Sequence, residues 1–176
     1  MKLRWLLSLG LLAFVVCCIL FALRGGTHPR KYPRHVYITS NDKFRIRVQM
    51  FPEEGVGFVL GGYYVFQSAD MDSDNWTDIV TYKQDDPDPI ACDRIRFLGD
   101  KVAYVFMGQM FAVTSNGGGA WKVWDIRTDP NWRDRRPGIE AIQLWEGGVG
   151  TMTLRIVGDK HTILRTSDYG YHWKEE

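Results

Sequence analysis

The sequence predicts an all-β domain, built from three similar units, behind one N-terminal apolar helix. From about residue 41 to the C-terminus, short stretches rich in Val, Ile, Phe, Tyr and Thr alternate with glycine-containing turns. This pattern is typical of strands joined by hairpins. Ahead of it, residues 5–23 form an apolar run broken only by Ser8 and Gly10.

The apolar run predicts a membrane anchor over residues 1–24. Its 19 residues, at about 1.5 Å each, match the thickness of a bilayer's hydrocarbon core. A cleaved signal peptide is the alternative, because Lys2 and Arg4 form a short basic start. We favour a retained anchor, since no small-x-small cleavage site follows the run before Arg24.

Residues 25–40 contain two glycines and two prolines and are predicted to be a tether that keeps the domain, residues 41–176, close to the membrane. Basic residues lie on both sides of the apolar run, so charge does not fix its orientation. A very short N-terminal tail usually stays inside. We therefore expect a single-pass protein of the inner (cytoplasmic) membrane with its C-terminal domain outside the cytoplasm.

Composition argues against a nucleic-acid-binding protein and against a disulfide-stabilised domain. Without Lys2, Arg4 and Arg24, 19 of the 22 basic residues remain against 21 acidic ones, so the domain is near neutral. This balance argues against a nucleic-acid partner. Cys92 is the one cysteine outside the apolar run, so no disulfide forms within the domain and its core must supply its stability.

Each unit ends in a turn of related sequence. The third turn, residues 166–173, reads Ser/Thr-x-Asp-x-Gly-x-x-Trp; the second turn, residues 114–121, has Asn in place of Asp; and the first turn, residues 68–76, is altered. Asp70, Asn116 and Asp168 are equivalent positions, 46 and 52 residues apart. This is the length of one four-stranded blade.

The chemistry of the third turn predicts a hairpin staple. We expect Thr166 or Asp168 to accept hydrogen bonds from amides of the loop, and Gly170 to have a positive φ. Trp173 is expected to fold back as an apolar plug. Trp76 and Trp121 are expected to lie near equivalent turns.

The turns and their spacing resemble those of Asp-box (BNR) repeat proteins, a group that includes sialidases, sortilin-type receptors and the photosystem II assembly factor family. The resemblance covers residues 41–176 and implies propeller blades in an extracytoplasmic module. A propeller closes with about four to eight blades. Three units therefore predict a partial propeller or a compact stack of sheets, completed by a partner or by self-association into a six-bladed ring.

We predict no enzymatic activity. Sialidases that share these turns need an arginine cluster, a Tyr/Glu nucleophile pair and an acid at the hub of six blades. This chain has three units, and no motif marks its arginines as such a cluster. A shared turn describes architecture and not chemistry.

The first turn predicts a calcium site. Carboxylates occupy loop positions 1, 3, 5 and 9, and position 7 offers its backbone carbonyl; the predicted ligands are Asp70, Asp72, Asp74, Asp78 and Trp76. The pattern resembles the loops of integrin-type (FG-GAP) propeller repeats. Asn75 is expected to have a positive φ, and Thr81 in place of a bidentate Glu predicts weak affinity. The alternative is an acidic turn whose carboxylates cap backbone amides.

An insertion at residues 129–138 predicts a partner-binding loop. Trp and Arg dominate interface hot spots, and the predicted contact residues are Trp132, Arg133, Arg135 and Arg136. In the alternative interpretation the loop is a salt-bridged surface and Trp132 packs down on a sheet.

The function that these features favour is a membrane-tethered, extracytoplasmic protein-binding module. The resemblance implies an accessory or assembly factor for a membrane complex. One alternative is an immunity protein that neutralises a toxin at the periplasmic face. Another is a carbohydrate-recognising module, which would need Trp124, Trp145 and Arg155 to converge on one concavity.

Overall fold

The computed structural model describes residues 28–29, 33, 35–55, 58–84, 94–135, 137–158 and 160–176. The predicted anchor at residues 5–23 lies outside these ranges. Within them, no helix has the length and apolar character needed to cross a membrane.

The first sheet is antiparallel and has five strands. They are β1 (His28–Pro29), β2 (His35–Ser40), β3 (Phe44–Gly55), β4 (Phe58–Asp70) and β5 (Thr77–Gln84). β1 and β2 both pair with one edge of β3, and β4 and β5 follow on its other side. β3 and β4 form a long hairpin because their pairing continues from Phe44–Asp70 to Gly55–Phe58.

The second and third sheets are four-stranded antiparallel meanders in chain order. The second sheet consists of β6 (Ile95–Leu98), β7 (Val102–Met107), β8 (Met110–Thr114) and β9 (Lys122–Asp125). The third consists of β10 (Gly138–Leu144), β11 (Gly150–Ile156), β12 (Lys160–Thr166) and β13 (Lys174–Glu175). Two short 3-10 helices, Ile126–Thr128 and Arg133–Arg135, lie in the segment that connects β9 to β10. The prediction of an all-β fold is confirmed.

The first sheet begins upstream of residue 41, inside the segment predicted as a tether. β2 has β-branched and aromatic residues in alternation, which suits a half-buried strand. Tyr37 lies opposite Val48 and packs on the core between the first two sheets. This packing outweighs the nearby prolines and glycines on which the prediction of a tether rested.

The second sheet is the central layer, with an apolar core on each face. Successive side chains of a strand point to opposite faces. In β7, Ala103, Val105 and Met107 join the core against the first sheet. Tyr104 and Phe106 join the core against the third sheet. The near-continuous apolar sequence of β7 and β8 follows from this double burial.

The two outer sheets each bury one face only. In β3 the buried Phe44, Ile46 and Val48 alternate with Arg45 and Arg47. In β11 the buried Met152 and Leu154 alternate with threonines in the same way. Each outer sheet therefore leaves its other face towards solvent.

The second turn has the hydrogen bonds of the predicted staple. The Thr114 hydroxyl donates to Asn116 Oδ1 at 2.9 Å and accepts from the N–H of Gly118 at 3.2 Å. Asn116 Oδ1 also accepts from the N–H of Ala120 at 2.9 Å. Gly118 has a φ of 86°.

The third turn repeats this arrangement at the equivalent positions. The Thr166 hydroxyl donates to Asp168 Oδ1 at 2.8 Å and accepts from the N–H of Gly170 at 2.9 Å. Asp168 Oδ1 accepts from the N–H of His172 at 2.9 Å. Gly170 has a φ of 84°. The predicted chemistry of these turns is confirmed.

The tryptophan of each of these two turns packs on the core that joins its sheet to the preceding sheet. Trp121 lies against the core between the first and second sheets, and its Nε1 donates to Ser68 Oγ at 3.1 Å. Trp173 lies against the core between the second and third sheets and meets Phe111 edge to face, with ring centroids 5.6 Å apart. The turns thus fasten neighbouring sheets together.

Candidate functional site

The face of the first sheet that points away from the second sheet is a mixed apolar and basic surface. Residues directly opposite in an antiparallel pair share a face. Val36 and Ile38, which lie opposite Gln49 and Arg47, are therefore on this face, and their exposed fractions are 51% and 52%. We call this surface the end face and define it by Val36, Ile38, Arg45, Arg47, Phe51, Tyr63 and Trp76.

Trp76 lies on the end face next to two guanidinium groups. The Cζ atoms of Arg47 and Arg45 are 4.2 Å and 5.1 Å from the indole centroid. Trp76 is the counterpart of Trp121 and Trp173, but no sheet precedes its own among the described residues. Arginine side chains cover the indole of Trp76, whereas its counterparts in the later units pack on a neighbouring sheet.

Gln67 connects Arg47 to a carboxylate. Arg47 Nε and Nη2 donate to Gln67 Oε1 at 2.9 Å and 2.6 Å, and Gln67 Nε2 donates to Asp78 Oδ1 at 2.7 Å. Burial, followed by the positive charge of Arg45, lowers the pKa of Arg47, while Asp78 opposes this shift. Two like charges thus lie side by side, with Asp74 3.6 Å from Arg45 and Asp78 linked to Arg47 through Gln67. A further acidic group on a partner would lower their repulsion.

The predicted calcium ligands are placed in the first turn and in the strands on either side of it. Asp70 ends β4, and Asp78 lies in β5, where it accepts from Gln67. Asp74 is exposed, with its Oδ1 3.6 Å from Arg45 Nη2. Among the described residues, no three His, Cys, Asp or Glu side chains form a group suited to a metal ion. Calcium binding stays a prediction.

The expected positive φ of Asn75 was wrong. In the described part of the chain, Tyr169 is the only residue other than glycine with a positive φ. The N–H of Asn75 instead donates to Ser73 Oγ at 3.0 Å, and the carbonyl oxygen of Ser73 accepts from Arg45. A side-chain-capped turn of this kind needs no left-handed residue.

The predicted contact residues of the insertion do not form one exposed surface. Trp132 is 7% exposed and belongs to the core between the second and third sheets, as the alternative interpretation had it. The Arg135 Cζ lies 5.0 Å from the Trp132 centroid, and its Nη1 lies 3.2 Å from Glu175 Oε1. Arg133 is exposed and pairs with its neighbour Asp134 at 3.6 Å. Arg136 lies outside the described residues.

A concave pocket of about 300 Å³ lies between β9, the insertion and the third turn. We call it the aromatic pocket; its lining includes Trp124, Trp132, Tyr171, Trp173, Lys122, Asp129, Asn131 and His172. Sequence reasoning missed it because residues 122–132 and the third turn, about 40 positions later, both contribute to it. The recurring aromatic residues of β9 and the third turn were the available signal.

The three residues that a carbohydrate module was expected to bring together, Trp124, Trp145 and Arg155, do not line one pocket. Trp124 lines the aromatic pocket, but Arg155 lines a different one, together with Arg94 and Glu140. Trp145, which is 44% exposed, follows β10 and lines neither of these pockets. Which side chains meet at a concavity depends on how the sheets stack, and the composition of the sequence does not encode that.

Comparison of the chain with protein-family models, with curated proteins and with solved structures finds no match. The resemblance to Asp-box repeat proteins therefore rests on the residues of the turns and their spacing alone.

The third turn makes the stability of the domain depend on pH. Burial alone would raise the pKa of Asp168, but hydrogen bonds from the ring and N–H of His172 and from the Thr166 hydroxyl lower it to about 2. In an unfolded chain this carboxyl has a pKa of about 3.9. The native state thus binds fewer protons than the unfolded state in this interval, so stability rises with pH.

We expect the contribution of Asp168 to be complete above about pH 5 and to be lost as the pH falls through 4 towards 2. Asp168→Asn, which copies Asn116 of the second turn, should keep the turn and flatten this part of the pH profile. Asp168→Ala should cost about 1–2 kcal/mol of unfolding free energy at pH 7. Urea unfolding between pH 2 and pH 7 measures both effects; identical profiles for wild type and Asp168→Asn would contradict them.

The calcium prediction is tested by thermal unfolding. Binding at the first turn should be weak, with a dissociation constant on the order of 10⁻⁴ to 10⁻³ M. Calcium at about 100 times that constant would stabilise the fold by about 2.7 kcal/mol. The raised melting temperature should disappear in Asp72→Ala/Asp74→Ala. An equal melting temperature in millimolar calcium and in chelator would show an acidic turn instead.

Proposed function

We propose that the protein is a membrane-tethered module that docks another protein on the end face and serves as an accessory or assembly factor of a membrane complex. The observation that supports this proposal is the half-buried cluster of Trp76, Arg45 and Arg47. It lies on the same face as the exposed Val36 and Ile38. Trp and Arg are the residues on which interface energy concentrates. The exposed apolar side chains next to them supply surface that a bound partner would shield from water, as a hot spot requires.

In this proposal the three sheets are successive blades of an incomplete propeller. Each later unit anchors its turn tryptophan in the core that joins it to the sheet before it. The end face is then the surface that a preceding blade would cover, and the partner protein occupies that place. This explains why an indole is retained on an outward face of the first unit.

The partner favoured by charge is a different, acidic protein. Closure of a six-bladed ring by a second copy would bring the end face against the outward face of the third sheet. Arg155 and Arg165 lie on that face, because they alternate with the buried Leu154 and Leu164. Arg165 is paired there with Glu176 at 2.8 Å, but stacking Arg155 on Arg45 and Arg47 would oppose like charges. A partner with carboxylates avoids this repulsion.

Chain connectivity keeps the first sheet near the predicted anchor. β1 pairs with β3 so that His28 lies opposite Glu54, near the end of the long hairpin. His28 is five positions after Leu23, which limits the separation of their Cα atoms to about 18 Å. With residues 5–23 in the bilayer, a membrane protein could reach the first sheet. An incoming toxin at the periplasmic face could use the same surface.

Site-specific photocrosslinking in native membranes tests the docking surface. A photoreactive residue at Ile38, on the end face, should crosslink to a discrete partner. The matched control is Ile163, which is 44% exposed on the outward face of the third sheet and should give no such product. Arg47→Glu should lower the yield at position 38 about tenfold or more, as loss of a hot spot does.

Equal products from positions 38 and 163, or none from position 38, would contradict the proposal. Circular dichroism of Arg47→Glu should still show an all-β domain, which separates loss of docking from loss of folding.

A further inference from the structure

The aromatic pocket has the make-up of a small-molecule site and lies away from the end face. Its volume of about 300 Å³ is at the lower limit of ligand pockets, which are typically about 300–1,000 Å³. Three indoles and one phenol line it, and polar groups stand among them. A site of this kind suits a ligand about the size of a single ring.

Its aromatic side chains are held in place before any ligand arrives. Trp124 Nε1 donates to Asp129 Oδ2 at 3.1 Å. The Tyr171 hydroxyl lies 3.1 Å from Ser115 Oγ. Trp132 is fixed by the core between two sheets. Such preorganisation lowers the entropic cost of binding.

The charges around the pocket disfavour an ionic ligand. Lys122 Nζ lies 5.4 Å from the Tyr171 centroid and donates to the Tyr171 carbonyl oxygen. The Arg135 guanidinium lies 5.0 Å from the Trp132 centroid. Lys122 already lies over an aromatic face of the lining, so a quaternary ammonium group would be repelled there. Arg135 is paired with Glu175, and the charges of Lys122 and Asp129 balance each other in the lining, so an anion gains no net attraction.

The polar groups suit a ligand with several hydroxyls. The Asp129 carboxylate accepts hydrogen bonds, the Lys122 ammonium donates them, and the Asn131 amide does both. A sugar ring in its pyranose form has an apolar C–H face that can lie on an indole and an edge of hydroxyls. We propose that the aromatic pocket binds a neutral pyranose, either as a free sugar or as a unit of a glycan.

Titration of the full chain in phospholipid nanodiscs tests this inference. The probes are methyl β-glucopyranoside, methyl N-acetyl-β-glucosaminide and its β-1,4-linked trimer, with choline and an octaproline peptide as competing chemistries. At least one sugar should saturate a change in tryptophan fluorescence with a dissociation constant on the order of 1 mM or below. Tighter binding of the trimer would identify a glycan as the source, and equal binding a free sugar.

Trp124→Leu should weaken sugar binding about tenfold or more, because it removes one stacking wall. Trp145→Leu is the matched control, since that indole lies outside the pocket, and it should bind as wild type does. Asn131→Ala changes an exposed side chain without touching the core and should also weaken binding. This variant keeps the test valid if Trp124→Leu does not fold.

The inference is overturned if no sugar binds up to about 50 mM, if binding survives both pocket variants, or if choline or octaproline saturates the pocket in place of the sugars. Crosslinking from Ile38 does not involve this pocket, so the two proposals fail separately.

Discussion

The fold depends on one interaction, the packing of a turn tryptophan against the preceding sheet. Its two instances differ in one hydrogen bond. Trp121 Nε1 donates to Ser68 Oγ, whereas Trp173 Nε1 is buried and has no partner among the described residues. Thr114, the counterpart of Ser68, uses its hydroxyl inside its own turn. The altered first turn thus leaves Ser68 free to hold the next sheet.

The same interaction explains which tryptophan is left outside an intersheet core. In the second and third units, the turn tryptophan packs against the core shared with the preceding sheet and is shielded from water there. The first unit has no described neighbour on that side, so Trp76 stays at the surface with Arg45 and Arg47 over it. Covering an indole with arginine stems keeps the face soluble. It also leaves a half-buried aromatic and basic surface, on which the proposed acidic partner would dock.

The turns were predictable from the sequence because their hydrogen bonds run between residues two to four positions apart. Thr166, Asp168 and Gly170 encode their contacts locally, and stretches of β-branched and aromatic residues between glycine-containing turns predicted the strands. β2 was missed because prolines and glycines nearby outweighed its own strand pattern. The aromatic pocket could not be predicted, since its residues meet only when the second and third sheets stack. The end face could not be predicted either, because the strand pattern does not show which face of the first sheet a neighbouring sheet covers.

A double-mutant cycle between Ser68 and Trp121 tests most directly whether the turns fasten neighbouring sheets. Unfolding free energies are measured for Ser68→Ala, Trp121→Phe and the combination. A coupling of about 0.5–1.5 kcal/mol is predicted, as expected for one intersheet hydrogen bond. A control cycle of Ser68→Ala with Trp173→Phe should be additive. Zero coupling between Ser68 and Trp121 would contradict the account.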